Sequence, residues 1–340
     1  MEPKLILINP WIYDFAAYDL WSKPLGLLSL AGDLRNCGFK IHLIDCLDVH
    51  HPEMKESPSM TKPVRRPYGT GKFRREKVPK PTPLKNIPRS YSRYGIPVQL
   101  FRKELKKISG ADAILVTSLM TYWYPGVKKV ITIAREIHPD LPVILGGIYA
   151  RLCRQHALQV SGADFVVGEE GLHGPGSALN AILGCGIPKP GPSYPAFDML
   201  HKIDYICLLT SSGCPYRCRY CASPFLNTKF SRRNPLEVLE EILHWHRKYG
   251  VQDFAFYDDA LLLEPHAHMS ILLENLIGLD LNLRFHTPNA LHVREISPDM
   301  ARLLFLSGFR TIRLGLETSD MDLHKDLDNK VSEGEFERAV

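Results

Sequence analysis

Short aliphatic runs alternate with segments of helical period along most of the chain, and this alternation restricts the fold more than any other feature. Residues 4–9 form an aliphatic run. Residues 24–37 then set Leu27, Leu28, Leu30, Ala31 and Leu34 at helical spacing before Gly38. A second run at residues 40–45 follows at once, so the opening predicts a β-α-β unit with a parallel strand pair. Strands are expected again over 113–117, 143–145 and 165–167, with helices over 126–137 and 149–160. Five strands alternating with helices predict an α/β domain with a doubly wound parallel sheet, whose ligands sit at the carboxyl ends of the strands. Those ends carry Asn9 and Pro10, residues 118–125, Gly146 and Gly147, and Gly168 and Glu169.

Two stretches interrupt the pattern. Residues 48–97 hold nine prolines, and residues 60–107 carry 15 Lys and Arg against Glu76 and Glu104. The chain as a whole is only +5, so everything outside that segment is net acidic, which speaks against a general nucleic-acid-coating role. Dense proline forbids long helices, so the insertion reads either as a loop draped over the domain or as a locally disordered segment. A solvated decoration and a functional lid or acidic-partner dock are equally open readings. The Gly- and Pro-rich residues 184–195 read as a linker.

After the linker the alternation restarts, with strands expected over 206–210, 254–257, 283–286 and 311–316. Asn234, Pro235 and Glu237 form a helix start, residues 265–277 a second helix, and Ser297 with Pro298 opens a third. About four repeats of one β-α unit suggest a (β/α) barrel or part of one. With 23% charged residues, no apolar run approaches the ~20 residues that span a bilayer, and the N-terminus lacks the form of a signal peptide. A soluble, cytoplasmic protein without membrane contact is expected.

Three of the eight cysteines, Cys214, Cys218 and Cys221, fall in a C-x3-C-x2-C loop just after a predicted strand. Three thiolates on one loop hold three corners of a [4Fe–4S] cube and leave the fourth iron open to a small molecule. The competing reading is a zinc knob completed by Cys207 or a histidine. Cys37, Cys46, Cys153 and Cys185 are scattered and read as small apolar residues.

The segment from Thr210 to Cys221, with aromatic Tyr220 before the last cysteine, resembles the cluster loop of radical S-adenosylmethionine (SAM) enzymes. Tyr257 to Leu261, Pro288 and Asn289, and Arg313 to Ser319 resemble that family's later strand-end motifs in the right order. The resemblance covers residues 200–340 and implies a partial TIM-like barrel. It makes Cys214, Cys218 and Cys221 the catalytic cluster ligands and places Tyr220, Asp258, Asp259, Asn289, Arg313 and Glu317 at the SAM site. Asp258 and Asp259 would accept hydrogen bonds from the SAM ammonium group, while the Arg313 to Ser319 motif would face its ribose and carboxylate. It also implies reductive cleavage of SAM to methionine and a 5′-deoxyadenosyl radical, which abstracts hydrogen from an unactivated carbon. An electron donor such as flavodoxin or ferredoxin and a small-molecule substrate are implied as partners.

The first half resembles the flavodoxin- or Rossmann-like cobalamin-binding domain that precedes many radical SAM domains. The residues concerned are Asn9, Pro10, residues 24–28, Ser118 to Thr121, Gly146, Gly147 and Glu169. Glycines at strand ends let backbone approach a large flat ligand, and Ser and Thr supply short hydrogen bonds. Cobalamin domains that ligate cobalt through histidine carry D-x-H-x-x-G after the first strand, whereas this chain has Asn9, Pro10 and Trp11 there. Histidine-off binding is what the resemblance allows, with Trp11 or Met120 lining that face, and a domain that keeps the fold without the corrin is the alternative. Tyr122, Trp123 and Tyr124 are candidates to stack on a corrin or to pack locally. His286 and His292 flank Asn289 as candidate proton carriers or structural residues.

The expected organisation is a cobalamin-binding-like domain over 1–183 with its insertion at 48–97, a linker over 184–203 and a radical SAM core over 204–340. The expected activity is cobalamin-dependent methyl transfer to an unactivated carbon. A radical rearrangement or oxidation, or an inactive scaffold retaining the cluster, are the alternatives. The barrel of the resembled family has six β-α units, so four strands before Val340 predict a C-terminally incomplete core.

Overall fold

The computed structural model describes residues 2–54, 60–168, 179–182, 184, 193–320, 322–323, 331–332 and 334–340. The chain divides into two units, Met1–Lys202 and Ile203–Val340.

In the first unit, β1 (Lys4–Asn9), β2 (Lys40–Asp45), β3 (Ala113–Val116), β4 (Val143–Leu145) and β5 (Phe165–Val166) form one parallel sheet in the order β5-β4-β3-β1-β2. Leu5 to Ile8 are fully buried, as expected of a strand covered on both faces. Alternation splits them. Ile6 and Ile8 join the cluster that contains Val127, Val130 and Ile131 of α3 (Tyr124–Ile137), together with Phe101 and Leu105 of α2 (Val98–Lys106). Leu5 and Leu7 join Leu27, Ala31 and Leu34 of α1 (Leu25–Asn36). This strand order reverses direction between β1 and β3, and in open α/β sheets ligands bind at the carboxyl ends of the strands beside such a reversal.

Several expectations change. The helix expected over 149–160 breaks at Cys153 (φ −125°) into α4 (Ile148–Leu152) and α5 (Arg154–Val160). Helix α2 was hidden behind the insertion's prolines, although Pro97 caps rather than breaks it. The described part of the insertion is neither a draped loop nor disordered. Ser92–Tyr94 pairs antiparallel with both Ile12–Asp14 and Arg75–Lys77, and Gly71–Lys72 pairs with Tyr18–Asp19 and Val64–Arg65. Its basic residues are partly consumed inside. The Arg93 guanidinium lies 5.4 Å over the Trp11 ring and pairs with Glu76, while Arg65 pairs with Asp19 at 2.9 Å. The described end of the expected linker also packs on this unit. The Ala196 N–H donates to Leu28 O (2.8 Å), and Arg35 grips Asp198 through two 2.9 Å bonds.

In the second unit, β6 (Ile206–Leu208), β7 (Asp253–Phe256), β8 (Arg284–His286) and β9 (Phe309–Thr311) pair in parallel and in sequence order. Helices α6 (Pro235–Tyr249), α7 (Met269–Gly278) and α8 (Pro298–Ser307) connect them. Sequential winding is the barrel pattern, in contrast to the reversal in the first sheet. Asn234 caps α6 by accepting from the Leu236 N–H, and Ser297 caps α8 by accepting from the Met300 N–H. The Phe254, Phe256, Phe285 and Phe309 rings meet on one face of the sheet, with centroids 5.5–6.0 Å apart. The fourth strand begins earlier than expected and ends at Thr311, with a single bridge from Leu291 to Leu314 beyond it.

Candidate active site

The cysteine loop leaves the carboxyl end of β6 through a short hairpin, Ser211–Ser212 paired with Ser231–Arg232. Gly213 turns it, with φ +79° and with Lys229 O only 2.7 Å from where a Cβ would stand. Only glycine fits both conditions. Cys214 and Cys221 are partly exposed, Cys218 is buried, and the Cys221 N–H donates to Cys218 O at 3.0 Å. Burial pushes the Cys214 thiol up, and the neighbouring Asp259, Cys218 and Cys221 push it the same way. None of the seven described cysteines is joined in a disulfide, and among the described residues no three His, Cys, Asp or Glu are gathered as they would be around one metal ion. A cube takes its three thiolates at separate corners rather than at one point. Three free cysteines on one loop are the donor set such a cluster requires.

The other residues singled out from the sequence divide in two. Tyr220, on the cysteine loop, hydrogen-bonds Glu317 and Cys218, and burial followed by the Glu317 charge raises its phenol. Glu317 has a left-handed backbone (φ +65°). Asp259 is exposed beside Cys214, whereas Asp258 is 3% exposed and turned inward. The Asp258 Oδ1 accepts from the Thr210 N–H (3.0 Å), the Thr210 hydroxyl (2.8 Å), and both the N–H and hydroxyl of Ser211 (2.6 Å each). Burial raises its pKa against these donors. Asp258 therefore ties the root of the cysteine loop to the end of β7, a task different from the outward one expected of it. The Asn289 amide donates to Tyr257 O (2.9 Å) and Asp258 O (3.3 Å), keeping its own oxygen as an acceptor, and Arg313 donates to Pro288 O. His292 stacks on Tyr216 of the cysteine loop at 4.4 Å. His286 is fully buried between Asp253 (3.0 Å) and the Thr311 hydroxyl (2.9 Å), a structural position.

At the carboxyl end of the first sheet, several expected ligand contacts prove to be internal. The buried Asn9 donates its amide to Asp45 Oδ1 (2.7 Å), and Pro10 is buried beside it. Trp11 is fully buried, donates to Ile96 O (2.8 Å) and meets Phe101 edge-on, so it does not line a corrin face. Ser118 donates to Gly146 O (2.6 Å), and Gly147 takes φ +91° where a Cβ would meet Ser118 O at 2.3 Å. Trp123 donates to Asp14 (2.9 Å) and Tyr124 stacks near Tyr149 (6.0 Å). What remains open is Gly146, where a Cβ would meet nothing within 4 Å, beside Thr121, partly exposed, and Met120 and Tyr122, both exposed. A glycine shelf with an exposed ring and thioether at the sheet's switch point suits a large flat ligand. The segment between β1 and α1, residues 10–24, contains no histidine. Glu169 lies outside the described residues.

Comparison with known proteins accords with this geometry. Residues 208–340 match the family model of the radical SAM superfamily, and residues 99–173 match that of the B12 binding domain. An uncharacterized methyltransferase, PH0819, from Pyrococcus horikoshii is 24% identical over 64% of this chain and 54% of its own length. Cytidylyl-2-hydroxyethylphosphonate methyltransferase from Streptomyces wedmorensis is 20% identical over 96% of this chain and 67% of its own. Among solved structures, the radical SAM methyltransferase TsrM from Kitasatospora setae, described with cobalamin and a [4Fe–4S] cluster bound, aligns with TM-score 0.63 at 17% identity, over 98% of this chain and 62% of that one. The cobalamin-dependent SAM radical enzyme OxsB aligns with TM-score 0.63 at 14% identity, over 99% of this chain and 47% of that one. The chain thus spans about half to two thirds of the length of these relatives. It carries a radical SAM domain preceded by a B12 binding domain.

Proposed function

We propose that this chain is the cofactor-bearing part of a radical SAM methyltransferase that uses cobalamin to methylate an unactivated carbon of a small molecule. The observation that carries this reading is the meeting of Cys214, Cys218 and Cys221 with Asp259, Tyr220 and Glu317 at the end of a barrel-type sheet. When bound, the cluster and SAM supply one-electron reductive cleavage, and cobalamin supplies a methyl carrier. Cys214, Cys218 and Cys221 would hold three of the cluster's irons. Asp259 offers its carboxylate to the SAM ammonium group, and Asp258 fixes the loop that carries the cysteines. The Asn289 amide oxygen, Arg313, Glu317 and Tyr220 would line the SAM site, with Arg313 and Glu317 toward its ribose and carboxylate. In the first unit, Gly146, Gly147, Ser118 and Thr121 shape the corrin shelf, and Asn9 and Pro10 brace its floor. Exposed Arg217 and Arg219 on the cysteine loop give an acidic flavodoxin- or ferredoxin-type donor a cationic approach.

The named relatives that are methyltransferases support methyl transfer. OxsB, described as a cobalamin-dependent SAM radical enzyme, keeps radical rearrangement or oxidation as the second reading. The test is anaerobic reconstitution with iron, sulfide and cobalamin, followed by dithionite and SAM. Iron–sulfur absorption, co-migrating cobalamin and release of 5′-deoxyadenosine or methylcobalamin are expected. A Cys214→Ala variant that loads iron as wild type does would sink the proposal.

A further inference from the structure

The insertion encloses a pocket of about 330 Å³ with the segment that follows β1, a volume within the range of small-molecule sites. Its walls combine rings and cations. Phe15, Tyr18, Phe73 and Tyr94 line it, and so do Lys62, Lys72, Arg75 and Arg89. No Asp or Glu lines it among the described residues. Elsewhere in the same insertion Arg65 pairs with Asp19 and Arg93 with Glu76. Lys72, Arg75 and Arg89, by contrast, make no ion pair among the described residues. Lys72 instead stands 5.9 Å over the Tyr18 ring, and Arg89 stands 6.0 Å over Phe15. Tyr18 is 48% exposed, and Phe73 and Tyr94 are buried behind the cavity.

We propose that this pocket binds the phosphate-bearing handle of the substrate, a nucleoside monophosphate or a similar organic phosphate attached to a flat ring. Lys72, Arg75 and Arg89 would gather around a dianion, where charge-assisted hydrogen bonds are strongest. The rings at the mouth would stack on the planar group, as aromatic side chains do with bases. The cavity is too small for a corrin, which separates it from the shelf at Gly146. The proposal rests on the proposed function only in calling the ligand a substrate.

The test is equilibrium dialysis of radiolabelled cytidine 5′-monophosphate against the full chain without cobalamin, with cytidine and inorganic phosphate as competitors. Saturable binding is expected, with each competitor at least tenfold weaker than unlabelled nucleotide. The double variant Lys72→Ala, Arg89→Ala should bind at least tenfold more weakly while keeping the wild-type thermal midpoint. Lys106→Ala, on the basic helix α2, should bind as wild type. Undiminished binding by the double variant would overturn the proposal. So would an equal loss in Lys106→Ala together with equal competition by phosphate, since that marks a diffuse polyanion effect. Absence of saturable binding would also overturn it. Release of 5′-deoxyadenosine from SAM without substrate is measured in parallel. If it persists while nucleotide binding fails, the pocket proposal falls and the proposed function stands.

Discussion

Replacing Asp258 separates a residue that braces the cysteine loop from one that contacts SAM. Its carboxylate is buried and accepts from two backbone N–H groups and two hydroxyls of Thr210 and Ser211, themselves 1% and 5% exposed. In Asp258→Ala the hydroxyls can rotate to other partners, but the two N–H groups cannot. Each buried orphan costs about 1–3 kcal/mol, so the loss is about 2–6 kcal/mol. Asp258→Asn keeps one acceptor oxygen and sheds the charge whose burial pushes the native pKa up. Its loss should be about half that of Ala. Urea unfolding of the cluster-free chain, followed by tryptophan fluorescence, measures both, and iron per chain after reconstitution reports the loop. The expected order is wild type, then Asn, then Ala in stability and in iron loading alike. An Ala variant that unfolds and loads iron as wild type does, yet no longer binds SAM, would refute the reasoning and return Asp258 to the ligand.

Gly213→Ala places a Cβ at φ +79° and 2.7 Å from Lys229 O, so iron loading should fall several-fold with a stability loss of about 1–3 kcal/mol; wild-type loading would count against the turn's role. Arg93→Ala uncovers Trp11 and leaves Glu76 unpaired. Because Glu76 is one-third exposed, about 2 kcal/mol is expected rather than the full cost of a buried pair, and a change below about 0.5 kcal/mol in urea unfolding would contradict a folded insertion. Burial holds His42, His51 and His268 below the usual histidine pKa. Their neutral forms favour the folded state, so this stability is present above about pH 6.5 and is lost as pH falls through the lowered values. Urea midpoints should drop between pH 7.5 and 5.5, less so in His42→Gln. A flat profile would exclude the effect.

The two parallel sheets were legible because period and strand length are local properties, and so was the cysteine loop, whose three thiols sit within eight residues. The insertion was not. Its strands are two or three residues long, too short for alternation to show, and contacts such as Arg93 over Trp11 and Trp21 Nε1 to Tyr68 O are remote in sequence. The strand order was also out of reach, since a β-α-β pattern does not say on which side of β1 the next strand lies.

The polar residues at the strand ends show the limit most clearly. A parallel strand that stops inside a domain leaves backbone groups that some side chain must satisfy, so Asn, Asp and Ser collect at those ends whether or not a ligand binds there. Asn9 meets Asp45 across 36 residues, and Asp258 meets Thr210 across 48. Spacing along the chain carries no trace of either pair. Asp258 and Asp259 are adjacent and chemically identical, yet one faces four internal donors and the other faces out beside Cys214. A motif at a strand end therefore marks the place of a site. Which of its residues serve the ligand follows only from counting the donors and acceptors the fold has already used.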